Sequence, residues 1–262
     1  MSGDTKEDVL FRQRMTELCN NALDSYSPAF TAFLDGRQKI QALEVFGSFS
    51  KSIKVVCYGG FKQAQRVRIG LFPLDVYGWT DDENEFYEMF DVSAIEIKGS
   101  GFSSFGHRDV MGSVLGLGIK RDVLGDIYLP DDKTAYICLT SVAAQYICSS
   151  LEAVARDKVK TSIIDCKLLP EIKLQFSVVS GTVASDRLDC IVSLCTGLSR
   201  EKAKQIISSA NVNLNHFEEL RCDIAVCDGD VLSVRGYGRF VVHELGGLTK
   251  KGRTKATVHK MI

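Results

Sequence analysis

No run of apolar side chains in this 262-residue chain approaches the ~20 residues needed to cross a bilayer. The opening residues, MSGDTKEDVL, carry acids where a secretion signal needs basic and then apolar residues. A cytoplasmic protein with no membrane partner is therefore expected. Charge of one sign is also missing. The 32 Lys and Arg stand against 33 Asp and Glu, so net charge gives no hint of a polyanionic partner. There is no P-loop and no G-x-G-x-x-G phosphate loop, which removes the usual nucleotide-binding enzymes. Nine cysteines, an odd count at irregular spacing, fit a reducing compartment in which thiols serve as small buried hydrophobes. Cys190/Cys195 and Cys222/Cys227 form two evenly spaced pairs, but zinc knuckles favour the tighter C-x2-C, and the first pair falls within a predicted helix. No metal and no other cofactor is expected.

What is present is enough to bury a core, with 45% apolar and 25% charged residues. The charge is distributed unevenly. Residues 181–262 hold 12 basic and 9 acidic side chains, leaving 20 basic and 24 acidic for the first 180. After Gly247 come Lys250, Lys251, Arg253, Lys255 and Lys260 with no acid. Such a run is a solvated tail or a phosphate-binding arm.

The pattern along the chain is that of an α+β protein. An amphipathic helix is expected from Lys6 to Leu23, with Val9, Leu10, Met15, Leu18 and Ala22 on or near one face. Ser27-Pro28 reads as a cap with Pro at the first helical position, and Asp35-Gly36 as a turn before a helix from Arg37 to Phe46. Strand-like runs follow at Ile53–Tyr58 and Val67–Phe72, then an acidic stretch, Asp81–Glu88. The middle reads as strand Val92–Lys98, helix His107–Leu117, strands Asp126–Leu129 and Ala135–Leu139, helix Ser141–Ala155 capped by Ser141, and a strand near Leu174–Val179. This is a split β-α-β unit of ferredoxin type, the topology of RNA-recognition modules, without their aromatic signature. The last part reads as helix Val183–Cys195 ended by Gly197, helix Arg200–Ser209 capped by Ser199, and a small sheet. Its strands are Val212–Leu214, a segment through Arg221–Val226, Val231–Arg235 after an Asp228-Gly229-Asp230 turn, and Gly238–Glu244.

Three motifs in this last part, R187-L-D-C-I-V-S-L-C-T-G-L-S-R200-E-K-A-K-Q-I-I, N211-V-N-L-N and D228-G-D-V-L-S-V-R-G-Y-G-R-F, resemble the S-four, or alpha-L, RNA-binding domain. The segment H107-R-D-V-M-G-S-V-L-G-L-G-I-K-R121-D with G125-D-I also resembles the YlmH family of bacterial proteins. With that resemblance the chain divides into an N-terminal α/β region over 1–90 with a helical opening segment, an RRM-like middle domain over 91–180, an S-four domain over 181–246 and a basic tail over 247–262. It further implies a monomer that meets large-subunit ribosomal RNA and tRNA in quality control of stalled peptidyl-tRNA. The RNA-binding residues expected are Arg187, Ser199, Arg200, Lys202, Lys204, Asn213, Asn215, Arg221, Arg235, Arg239, Lys250, Lys251 and Arg253.

Physical chemistry supports part of that set independently. Arg200, Lys202 and Lys204 project from the first turns of a helix, where free N–H groups and the helix dipole favour phosphate. Arg187 opens the preceding helix, and Asp189 is suited to orient an arginine or a backbone group. Arg235 and Arg239 flank the Gly236-Tyr237-Gly238 turn, whose glycines permit close backbone approach. The S-four pattern usually has Gly ahead of its first strand and an Asn-Gly turn after it. This chain has Ala210 and Asn215-His216, so positive φ must be borne by residues with side chains. Two enzyme readings are weaker. His107-Arg-Asp lacks the Asn of a kinase catalytic loop, Val114 standing there, and is expected to be structural. Arg187-Leu-Asp is superficially like the catalytic motif of pseudouridine synthases but lacks the Thr-Ser-Gly that follows there, so an RNA-modifying enzyme or its targeting subunit is the alternative to a binding protein without catalysis.

Overall fold

A computed structural model describes residues 5–80, 82–171, 176–249 and 252–261. They fall into two compact units, residues 5–171 and residues 176–261.

The first unit opens with helix α1 (Lys6–Ser25), started by a capping box in which Thr5 and Asp8 satisfy each other's backbone N–H. Asp8 is buried and also accepts hydrogen bonds from Arg37 and Gln41, both at 2.7 Å, on helix α2 (Gly36–Gly47). The buried face of α1 is thus Asp8, Met15, Cys19 and Ala22, whereas Val9 and Leu10, expected inside, are 44% exposed. Ser27-Pro28 starts no helix. Tyr26 ends α1 in the left-handed region, and the chain runs extended into β1 (Ala29–Phe30), which pairs with β3 (Arg68–Pro73) beside β2 (Ile53–Tyr58). Phe30 is drawn there by an aromatic cluster with Phe72 and Phe90. Two single-turn helices, α3 (Leu74–Tyr77) and α4 (Asn84–Tyr87), lead on, the latter inside the acidic stretch; Asp81 lies outside the described residues.

The middle of this unit is a five-stranded antiparallel sheet built from β4 (Ser93–Gly99), β5 (Leu124–Tyr128), β6 (Thr134–Leu139), β7 (Ala153–Val154) and β8 (Asp157–Ile164), in the order β5-β6-β4-β8-β7. Helices α5 (His107–Gly116) and α6 (Ser141–Ser150) lie on the face that carries Ile95, Ile97, Ile137 and Leu139. Each such buried side chain contributes roughly 1.5–3 kcal/mol. The split β-α-β order is therefore present, but its last strand is Asp157–Ile164. The expected strand near Leu174–Val179 does not belong to it; residues 176–179 are part of a strand of the other unit, and 174 and 175 lie outside the described residues. Helix α6 also stops five residues early, because Ala155 turns the chain with φ 51° into the β7–β8 hairpin. Thr140 is its N-cap, and Ser141 instead reaches the Ser93 hydroxyl at 2.9 Å.

The second unit is a six-stranded antiparallel sheet with two helices on one face. Its strands are β9 (Phe176–Val183), β10 (Val212–Leu214), β11 (Phe217–Glu218), β12 (Val231–Val234), β13 (Gly238–Leu248) and β14 (Thr254–Met261), in the order β11-β10-β12-β13-β14-β9. Helices α7 (Leu188–Thr196) and α8 (Arg200–Ser208) pack Leu188, Ile191, Ala203 and Ile207 against Leu232, Phe240, Val242 and Val258. Val183, expected to open α7, ends β9. Arg221–Val226 is not a strand; Ala225 makes one isolated bridge to Arg187. The residues expected as a basic tail include β14, which sits between β13 and β9 and places Ala256 and Val258 in the core. Ala256 and Val258 alternate inward as in a half-buried strand, a pattern masked in sequence by Lys255, which faces outward, and by Lys260, whose ammonium lies over the ring of its partner Phe240.

Candidate nucleic-acid interface

Helices α7 and α8 meet across Gly197-Leu198-Ser199. Gly197 closes α7 in the left-handed conformation with φ 71°, and the Ser199 hydroxyl accepts from the Lys202 N–H that opens α8. At the start of α7 the backbone N–H groups of Leu188 and Asp189 donate to the carbonyls of Ile224 and Cys222, at 2.9 and 3.0 Å. That explains why Arg221–Val226 runs irregularly: its carbonyls terminate a helix instead of joining a ladder. It also leaves fewer free donors at α7 than at α8.

The centre of the site is Asp189, which is fully buried. Both its oxygens are shared by two guanidinium groups, with Arg200 Nε at 3.0 Å and Nη2 at 3.3 Å, and Arg187 Nε at 3.3 Å and Nη2 at 3.5 Å. Burial pushes the Asp189 carboxyl up, but hydrogen bonds from Arg200 and Arg187 outweigh it and hold the carboxyl below its ordinary range. The same contact raises Arg200. Both arginine side chains remain open to solvent, 38% for Arg187 and 45% for Arg200. One buried anion therefore holds two surface cations in fixed orientation, with a net positive charge to spare.

Lys204 is half-buried one turn after Arg200 on α8, and Lys202, between them in sequence, is exposed. The Cys222 thiol lies 3.7 Å from the Lys204 carbonyl, so Arg221, exposed and paired with Glu219 at 2.8 Å, is beside the same cluster. The structure thus gathers Arg187, Ser199, Arg200, Lys204 and Arg221, while Lys202 faces away on the other side of α8. Other expected residues are placed elsewhere. Asn213 and Arg239 alternate to the face of the sheet away from the helices, since their neighbours Val212, Leu214 and Phe240 point into the core. Arg235 sits at the far end of α8, its N–H on the Asn211 carbonyl at 2.9 Å. The Asn215 amide is committed to Asp230 and to the Val231 N–H, and Arg253 to Thr182. Lys250 and Lys251 lie outside the described residues. The other motifs fall in place: Asp109 accepts the Gly106 N–H at 2.8 Å as a helix cap, and Cys190 and Cys195 are on the buried face of α7. Among the described residues no group of three or more His, Cys, Asp or Glu could hold a metal. Likewise, no helix among them is long and apolar enough to cross a membrane.

Known proteins resemble this chain over both parts of its first unit. A family model described as "YlmH, N-terminal" matches residues 7–76, and one described as "Putative RNA-binding domain in YlmH" matches residues 86–167. The chain belongs to the YlmH family. Its second unit lies beyond both matches. A YlmH homologue from Bacillus subtilis (strain 168), named ribosome-associated protein quality control protein P2, is 26% identical over 256 residues, 97% of this chain and 96% of the homologue. A solved structure named cell division protein ylmH from Streptococcus pneumoniae superposes with a TM-score of 0.50 at 21% identity, over 63% of this chain and 94% of that one. The latter likeness concerns the fold.

Proposed function

We propose that this YlmH-family protein binds structured RNA through its second unit, an S-four-type domain, and that its RNA targets are the large-subunit ribosomal RNA and tRNA of stalled peptidyl-tRNA complexes. The observation that carries the reading is the arginine pair anchored on Asp189 beside the capped start of α8, which presents two oriented guanidinium forks with Lys204 one turn further along the same side of the helix. Such preordered donors meet phosphate without first losing side-chain freedom. The printed name of the Bacillus subtilis homologue supports the ribosomal setting. The role is binding, without catalysis, and in the cytoplasm. Sedimentation of the tagged protein through a gradient, followed by sequencing of crosslinked RNA, tests it. Cosedimentation with large subunits and crosslinks to their RNA and to tRNA are expected. A protein that stays at the top of the gradient, or crosslinks to other RNA, would sink the reading.

A further inference from the structure

The helix-free face of the middle sheet carries an arrangement that the C-terminal helix pair does not use. Ile95, Ile97, Ala135 and Ile137 point to the helices, so Ala94, Glu96 and Lys98 of β4 and Cys138, Tyr136 and Thr134 of β6 alternate to the opposite face. One end of that face is sealed by the N-terminal part of the same unit. Ala94 and Cys138 are buried there, and a Cβ added to Gly60 would stand 2.5 Å from the Cys138 sulfur.

The other end is open. Strand register sets Tyr128, Tyr136, Glu96 and Ser162 in one row across β5, β6, β4 and β8, and Thr134, Lys98 and Lys160 in the next. The two tyrosine rings are half-buried and nearly parallel, with 19° between planes and centroids 6.4 Å apart. Glu96 is neutralised by Lys98 at 2.9 Å and by the Tyr136 hydroxyl, which donates to it at 3.0 Å. Lys98, Lys158 and Lys160 are exposed.

We propose that this open half-face binds single-stranded RNA, with two unstacked bases resting on Tyr128 and Tyr136 and the adjoining phosphates on Lys98, Lys158 and Lys160. The inference rests on the protein being an RNA binder but not on the C-terminal site. Aromatic faces accept any base, and neighbouring ammonium groups supply the backbone charge that a short single strand needs. The two rows contain no aliphatic side chain, which disfavours a protein partner or a second copy of the chain as occupant. The change of residue type along the face, small and apolar where sealed but aromatic and basic where open, follows from that division.

The test is titration of a fluorescein-labelled uridine decamer with the full-length protein at fixed salt. The double variant Tyr128→Ala/Tyr136→Ala should weaken binding about tenfold or more. Tyr128→Phe/Tyr136→Phe, which keeps both ring faces, should stay close to wild type. Lys98→Ala/Lys160→Ala should weaken binding and flatten its salt dependence. Should the alanine pair fail to fold, ultraviolet crosslinking of wild type must place the decamer on Tyr128 or Tyr136. Wild-type protein that ignores the decamer, a folded alanine pair that binds normally, or crosslinks confined to the second unit would each overturn the proposal. Arg200→Ala without effect on structured RNA would instead count against the C-terminal reading and leave this one standing.

Discussion

Asp189 separates two accounts of the candidate interface, because its charge and its geometry act in opposite directions. If the surface were a diffuse positive patch, Asp189→Asn would remove a negative charge and tighten RNA binding. If the carboxylate serves to aim Arg187 and Arg200, the same variant frees both guanidiniums to rotate and weakens binding, by about 1–3 kcal/mol. We expect the weakening, measured by titration of labelled structured RNA after circular dichroism confirms folding. A companion comparison sets Arg200→Ala against Lys202→Ala. Each removes one cation from the same turn of α8, but only Arg200 is held bidentately. The loss should be about 1–3 kcal/mol for Arg200 and under about 1 for Lys202. Equal losses would mean that anchoring contributes nothing.

Within the elements, two local features have measurable consequences. Ala210, between α8 and β10, has φ 57°, and Asn215 and His216 form the next turn with φ 49° and 72°. A left-handed residue with a Cβ costs roughly 1–2 kcal/mol, so Ala210→Gly is expected to stabilise the protein despite the extra freedom it gives the unfolded chain. Thermal denaturation should show a raised Tm, and an unchanged or lowered one would refute strain at this turn. The second feature ties α1 to α2. Hydrogen bonds from Gln41 and Thr5, with the Arg37 charge, hold the Asp8 carboxyl far below its ordinary value near 4. A depressed carboxyl stabilises the fold above its unfolded pKa and loses that contribution as pH falls below it. Asp8→Asn should therefore cost about 1–3 kcal/mol at neutral pH, and the gap between variant and wild type should close as the solution is acidified below about pH 4. A gap independent of pH would show that the ionised form is not what matters.

For the whole molecule, the boundary of the second unit decides which fragments can fold. β9 begins at Phe176 and pairs along its length with β14, Ser180 against Thr257 and Phe176 against Met261. A fragment starting at Gly181, the boundary expected from sequence, leaves the end of β14 without its neighbour. We expect residues 173–262 to give a cooperative melt and to bind structured RNA, and residues 181–262 to melt at a clearly lower temperature. Identical melts would mean that the β9–β14 ladder adds nothing. RNA binding by the longer fragment should weaken steeply with salt, as phosphate contacts release counterions.

Local patterns were enough for the presence of the helix pair, the end of α7 and the cap of α8, but not for the start of α7, which lies five residues later than expected. Gly197 and Ser199 punctuate α7 and α8 through backbone preferences that depend only on near neighbours, and Asp189 stood two residues from the arginine it was suited to orient. The α+β class and most strands followed from hydrophobic periodicity. Other features depend on residues far apart in the chain and waited for the tertiary structure. Cys222 and Ile224 spend their carbonyls on α7 rather than on a strand, which no periodicity encodes. Val9 and Leu10 face outward because Asp8 must turn inward to meet Arg37 and Gln41. The lysine-rich segment after Gly252 is a strand because β9 and β13 lie on either side of it. Tyr128 and Tyr136 carry no signature along the chain, since only the register of β5 on β6 brings two rings eight residues apart into one row. Side-chain spacing along the chain sets which faces exist, and hydrogen-bonded register decides which residues share them.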